Sequence, residues 1–282
     1  MAYMMELSLP SVLSKSSFPL LLSVFILLFG GARAQQWYVV DSLSFKETVV
    51  SVSRDLTGNL YLAYASGKLR KYDDTLLLMA SSHEGSPDLI SSIDASQILK
   101  ILVFYQEPQQ FQFFNRFLNP IHSPQSFNTE SFAHFSIATL SSDQMIWLIN
   151  DDLMRLQKYN PILQEFVVDT DLSYYLQGNF QVSKLAEHKN RLYMQYNDEI
   201  LVFDFMGNFI NKLPLEIKGP FSLHQDHLFF LQKEKLFKYH LEKMEVVDVG
   251  ITSQEKVIFL LSDSKRHYLL TEKKIIVFRE NQ

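Results

Sequence analysis

From Val49 onward the apolar residues of this chain either alternate with polar ones or run together for several positions, and Gly, Asn, Asp or Ser separate the runs. The runs are rich in β-branched and aromatic residues and lack the three-and-four spacing of an amphipathic helix. The pattern therefore predicts short strands joined by tight turns. The strands come in sets. Leu60-Tyr61-Leu62 is followed by Leu69-Arg70-Lys71-Tyr72, Ile146-Trp147-Leu148 by Leu156-Gln157-Lys158-Tyr159, and Leu228-Phe229-Phe230 by Leu236-Phe237-Lys238-Tyr239. Leu192-Tyr193-Met194 and His267-Tyr268-Leu269 head two further sets, which end in Val202-Phe203 and Val277-Phe278. The most divergent set pairs Ile101-Leu102-Val103-Phe104 with Phe111-Gln112-Phe113-Phe114.

The step from Tyr61 through Leu102, Trp147, Tyr193 and Phe229 to Tyr268 ranges from 36 to 46 residues, the size of a four-stranded propeller blade. The last set stops just after its third strand, while Trp37-Tyr38-Val39-Val40 precedes the first complete set and belongs to none. The expectation is an all-β, six-bladed β-propeller with four-stranded blades, its ring closed by the N-terminal strand completing the last blade. Such closure pairs the strand edges that would otherwise stand open at the seam.

The segment before that strand is of another kind. Lys15 precedes an apolar run from Phe18 to Phe29, then Gly30-Gly31 and Ala32-Arg33-Ala34, a small-x-small ending of the sort signal peptidase cleaves. Residues 1–34 read as a signal peptide cleaved near Ala34, and residues 35–282 as a single β-propeller domain. The run is short for a bilayer span, which disfavours an uncleaved anchor. The expected location is exported, periplasmic or outer-membrane-associated. With no cysteine, the chain offers neither a lipobox nor a disulfide, and the fold must stand on its core. The formal net charge of −5 and the scattered Lys and Arg argue against nucleic acid or anionic lipid as a partner. The stretch from Asn119 to Ser131, with two prolines, reads as a blade-to-blade loop.

Innermost strands line the channel of such a ring. Registered on a central small or polar residue, they read Val50-Ser51-Val52, Ile90-Ser91-Ser92, Phe135-Ser136-Ile137, Phe180-Gln181-Val182 and Phe221-Ser222-Leu223, with Lys256-Val257-Ile258 less regular. Alternation places Ser51, Ser91, Ser136, Gln181 and Ser222 on the channel face. One reading is steric, since only small side chains fit where inner strands crowd an axis. The other is a polar, uncharged tunnel for a small neutral ligand. Neither supplies a metal site, a cofactor site or a general acid, and no catalytic residue is assigned.

Other constellations have structural readings. His224 and His227 flank a turn without a third ligand nearby, and Asp73-Asp74 and Asp151-Asp152 fall at strand ends without calcium-loop spacing. Phe111, Phe113, Phe114 and Phe117 read as core. Tyr174 and Tyr175, paired in the connection from Asp169 to Asn179, are candidate interaction residues, because exposed tyrosines favour interfaces.

Asp55-Leu56-Thr57-Gly58-Asn59-Leu60-Tyr61 followed by Gly67-Lys68-Leu69 resembles the blade signature of bacterial six-bladed and sensor-type propellers. The complete signature occurs once, and the Trp-Asp dipeptide of the WD40 type and the tryptophan docking motifs of quinoproteins are absent. The chain looks like an exported six-bladed propeller of Bacteroidetes-like Gram-negative bacteria. Asp41-Ser42-Leu43 and Asp74-Thr75-Leu76 are similar to the O-glycosylation acceptor pattern of such bacteria. The resemblance implies an architecture and no activity.

The leading expectation is a non-catalytic periplasmic protein-interaction scaffold, with a protein partner in the cell envelope. An accessory subunit of an outer-membrane assembly or secretion complex is one form of it. The alternatives are a hydrolase or lactonase type of enzyme, or a sugar- or peptide-binding protein using the channel. In six-bladed relatives the enzyme type resembles a calcium site at the channel mouth, for which Asp94, Asn179 and Glu255 are the nominees.

Overall fold

Short turns join consecutive strands that alternate in direction, so each sequence set folds as a four-stranded antiparallel meander. In the computed structural model the described residues are 37–82, 89–97, 100–128, 133–176 and 181–281. The apolar N-terminal run and its cleavage motif lie outside them. Blade one comprises β2 (Val49–Arg54), β3 (Leu60–Tyr64), β4 (Leu69–Tyr72) and β5 (Leu78–Ser81). Blade two comprises β6 (Ser92–Asp94), β7 (Ile101–Tyr105), β8 (Gln110–Phe114) and β9 (Gln125–Ser126). Blade three comprises β10 (Phe135–Leu140), β11 (Ile146–Asn150), β12 (Arg155–Asn160) and β13 (Glu165–Asp171), and blade four β14 (Val182–His188), β15 (Arg191–Tyr196), β16 (Glu199–Asp204) and β17 (Phe209–Lys212). Blade five comprises β18 (Phe221–His224), β19 (His227–Gln232), β20 (Lys235–His240) and β21 (Val246–Thr252). Blade six takes β22 (Phe259–Ser262), β23 (Arg266–Leu270) and β24 (Lys274–Glu280), and its outermost strand is β1 (Trp37–Ser44). β1 runs antiparallel to β24 with Trp37 opposite Glu280 and Ser44 opposite Lys274, so the seam closes as the sequence predicts.

The second strand of each blade is buried on both faces, and its central residue packs between blades. Six apolar clusters result, one at each junction. Tyr61, Ile93 and Val103 lie between blades one and two, Trp147, Leu185 and Phe203 between three and four, and Leu60, Tyr268 and Val277 between six and one. Phe111 and Phe113 are buried as expected, whereas Phe117 is exposed at a turn. The stretch after Asn119 is not only a loop, because it supplies β9, the outer strand of blade two.

Polar bonds hold the inner strands side by side and in parallel. Ser51 Oγ accepts from Ile93 N at 3.0 Å and Ser53 Oγ from Ala95 N at 2.8 Å; Lys184 Nζ donates to Phe221 O and His188 Nε2 meets Gln225 O. Asp94 Oδ2 accepts from Leu140 N at 2.7 Å, Ser141 Oγ donates to Glu187 at 2.6 Å, Ser222 Oγ accepts from Ser262 N at 3.0 Å, and Arg54 pairs with Asp263. The inner strands thus all begin on one face of the ring, the leading face, and end on the other, the trailing face.

The recurrent Leu-x-Lys-Tyr also belongs to this framework. Lys71, Lys158 and Lys238 stand opposite Tyr61, Trp147 and Phe229 on the neighbouring strand. The Lys71 and Lys158 ammonium groups lie 5.2 and 4.6 Å from the aromatic centroids and donate to Arg116 O and Phe205 O in the next blade. The Asp55–Tyr61 signature is turn chemistry. Asp55 accepts from Thr57 N, Asn59 N, Asn59 Nδ2 and Tyr61 Oη around Gly58, whose φ is +96°.

Candidate functional site

The inner strands surround a cavity of about 1790 Å³ lined by Ser51, Ser91, Ser136, Gln181 and Ser222, among others. Each of these serine hydroxyls makes a hydrogen bond within the fold. Besides the bonds of Ser51 and Ser222, Ser91 Oγ accepts from Gln106 N at 3.0 Å, and Ser136 Oγ donates to Asp151 Oδ1 at 2.7 Å. Gln181 is exposed just before β14.

These five residues do not share one structural position. Counting from the residue opposite the central position of the second strand aligns Ser53, Asp94, Thr139, Ala186, Ser222 and Leu261. Two residues earlier stand Ser51, Ser92, Ile137, Lys184 and Phe259. A bulge between Val49 and Ser51, between Phe135 and Ile137, and between Val182 and Lys184 inserts an extra residue near the start of three inner strands. Such an insertion breaks period-two registration, so Ser136 falls on the bulge and Lys184, not Gln181, matches Ser51. Counting across the hairpin from Tyr193 would have found it.

The expectation of an uncharged channel is corrected accordingly. Lys184, Arg54, Asp94 and Glu187 all line the cavity. Lys184 Nζ donates to Phe221 O at 2.5 Å and sits 4.6 Å from that ring's centroid. The residue is half-buried. Burial there pushes the ammonium down to about 8, against the pull of the Asp94 carboxylate. Burial likewise acts to raise Glu187, yet hydrogen bonds from Ser141, Ser142 and Trp147 outweigh it and hold the carboxyl below its usual range.

The residues nominated for a calcium mouth do not converge. Asp94 ends β6 on the trailing face, and Glu255 precedes β22 on the leading face, where it pairs with Lys274 at 2.8 Å. Asn179 lies outside the described residues. His224 lines the cavity at the trailing end and is lowered by burial, whereas His227 packs against His240 at 4.9 Å. Ser42 and Thr75, of the two acceptor-like triplets, are exposed.

The two faces of the ring differ. The turns joining third to fourth strands lie on the trailing face. Those of blades one to five carry exposed Leu77, Phe117, Ile162, Leu163, Phe205, Met206 and Met244, with Leu56 nearby. The second-to-third-strand turns of the leading face carry Leu153 as their exposed large apolar residue among those described. Sequence reading placed Phe117 in the core and did not single out the other turn-tip residues, because they stand as ones and twos far apart along the chain. Tyr174 and Tyr175 close a short 3₁₀ turn after β13 on the leading face. Tyr174 is 82 % exposed, while Tyr175 stacks on Phe209 at 4.7 Å. Among the described residues no helix is long and apolar enough to cross a membrane.

No family model matches the chain, and no curated protein matches it. Solved structures do. One described as a streptogramin B lyase structure superposes with a TM-score of 0.62 at 7% identity, over 87% of this chain and 98% of that one. The β-propeller domain of Myceliophteria thermophila Cps50 (Swd1) superposes with a TM-score of 0.59 at 9% identity, over 82% of each chain. At such identities the likeness establishes the propeller fold alone.

Proposed function

We propose that this protein is a non-catalytic ring scaffold that docks a protein partner on its trailing face. The observation that carries the reading is the apolar tip on each third-to-fourth-strand turn of blades one to five. A folded chain gains nothing from five such tips in water, and a shared rim of them has the composition of an interface core. Charged residues at the same end, such as Asp94, Glu187 and Arg54, are already bonded between blades and serve the ring itself.

Export to the cell envelope belongs to the same proposal and rests on the apolar run from Phe18 to Phe29 with its Ala32-Arg33-Ala34 ending. The partner is then an envelope protein, and the scaffold an accessory subunit of an outer-membrane assembly or secretion complex. Affinity purification of the tagged protein in mild detergent from its native envelope, followed by mass spectrometry, tests both parts. Recovery of one stoichiometric membrane protein is expected. Ile162→Asp with Phe205→Asp abolishes that recovery without lowering the melting temperature. Retention of the same partner by the double variant, or recovery of the protein alone, overturns the reading.

A further inference from the structure

Many polar groups on the channel wall are bonded within the fold, whereas Lys184 keeps donors to spare and His224 has a buried Nε2 without a partner among the described residues. Asp94 Oδ1 accepts from Ser96 N and Oδ2 from Thr139 and Leu140, while both Glu187 oxygens accept from blade three. An ammonium has three donors. Lys184 spends one on Phe221 O, and among the described residues it forms no salt bridge with a carboxylate. At the same height stand Ser51 and Ser92, with hydroxyls, and Ile137 and Phe259, with apolar side chains. A half-buried ammonium with unspent donors on a channel wall can take an anion as a further partner.

We propose that the central channel binds a small organic carboxylate. The carboxylate accepts from the remaining Lys184 donors, and the apolar part of the ligand lies against Ile137 and Phe259. A single ammonium at that height matches a monoanion, and the apolar neighbours favour an organic acid over inorganic phosphate. The Ser51 hydroxyl, which accepts from Ile93 N, keeps its own proton to donate. The binding is independent of the trailing-face interface, so either proposal can fail alone.

Burial lowers the Lys184 ammonium to about 8, so the site is cationic at neutral pH and loses its charge above that value. The charged and titratable groups on the surrounding inner strands are Asp94 on β6, Arg54 on β2 and His224 on β18, with Glu187 and His188 on its own β14. A bound carboxylate favours the protonated amine, and binding near pH 8 therefore takes up a proton.

Isothermal titration of the full protein with acetate, butyrate, benzoate and inorganic phosphate tests this. Butyrate or benzoate is expected to bind at neutral pH, with heats at pH 8 that differ between buffers of different ionisation enthalpy, as proton uptake requires. Lys184→Met keeps the apolar stem and is expected to lose about tenfold or more in affinity, the scale of a charge-assisted hydrogen bond. Lys46→Gln, exposed and remote from the channel, is expected to bind like the parent. Should Lys184→Met fold poorly, the parent protein still reports, because its affinity must fall from neutral pH to about pH 9.5 as the amine deprotonates. Absence of carboxylate binding at millimolar concentrations, undiminished binding by folded Lys184→Met, or tighter binding of phosphate overturns the proposal.

Discussion

The Arg54 guanidinium lies 2.5 Å from Asp263 Oδ2 and joins the end of β2 to the turn after β22, which ties the first blade to the last. Side-chain exposures of 19 % and 13 % set this pair apart from the open pair of Lys212 and Glu199, at 52 % and 41 %. Removing one partner of a mostly covered pair leaves the other poorly solvated, whereas an open pair is worth little. Arg54→Met is expected to lower stability by about 1–3 kcal/mol and Lys212→Met by less than about 1 kcal/mol. Equilibrium denaturant unfolding followed by tryptophan fluorescence measures both, and equal effects would show that the seam does not depend on this ion pair.

Gly207 occupies the turn between β16 and β17 at a φ of +80°, and a Cβ there would sit 2.5 Å from Val168 Cγ1 and 2.8 Å from Thr170 Oγ1. Both atoms belong to blade three, so the glycine backbone packs directly against side chains of the neighbouring blade; Thr170 Oγ1 donates to Gly207 O at 2.9 Å. Gly207→Ala combines left-handed strain with overpacking and is expected to cost about 2–4 kcal/mol. At Gly58 the nearest atom to an added Cβ is the Arg54 Nη2 tip at 3.0 Å, which can shift, and Gly58→Ala should cost about 1–2 kcal/mol. Thermal unfolding of the two variants gives the order; a milder effect at Gly207 would contradict the close approach.

The fold was legible in the sequence because each blade buries the centre of its second strand on both faces, which forces the same apolar and aromatic run to recur at blade-length intervals. β1 was legible for a related reason, since an extra strand at one end answers a missing one at the other. The channel was only partly legible. The five small or polar positions do line it, yet the bulges in β2, β10 and β14 shift the register and concealed Lys184. The trailing-face apolar tips were hidden as well: Ile162 and Phe205, in the same turn of successive blades, come to one face only after the meanders are stacked into a ring.

His267 is 1 % exposed, 4.3 Å from the Trp37 ring and 5.1 Å from Phe229, with Nδ1 at 3.0 Å from Ser262 Oγ. Burial pushes its pKa down to about 4. Between about pH 6.5 and 4 the unfolded chain therefore binds a proton that the folded chain refuses, and stability falls as pH drops through that window, by up to about 3 kcal/mol. Asp55 and Glu187, with carboxyls held low, act in more acid solution, because their contribution is full above the ordinary carboxyl range and is lost as the pH falls from there through their depressed values. His267→Gln should flatten the dependence between about pH 6.5 and 4 while leaving the steeper loss in stronger acid. Urea unfolding across that range decides it, and an unchanged slope in the variant would assign the dependence to other groups.

Lys158 and Lys71 hold the same place in the blade repeat, yet their surroundings give them different weights. Only 3% of the Lys158 side chain is exposed; its ammonium pairs with Asp143 at 2.5 Å, donates to Phe205 O at 3.2 Å and lies over Trp147. Lys71 reaches Arg116 O at 3.5 Å from a half-buried position. Its bond to Phe205 O crosses to blade four, its ion pair with Asp143 stays within blade three, and its stem lies beside Trp147, so truncation removes a charge interaction and packing together. Lys158→Ala is expected to cost about 2–4 kcal/mol and Lys71→Ala about 1 kcal/mol or less. Lys158→Met, which keeps the stem, should recover part of the loss, since Asp143 is 41 % exposed and water can serve it once the ammonium is gone. Chemical denaturation of the three variants separates the two parts: the difference between the Met and Ala variants reports packing, and the remainder reports the ion pair. Equal costs at Lys158 and Lys71 would mean that the repeat position itself, rather than the burial around it, sets the energy.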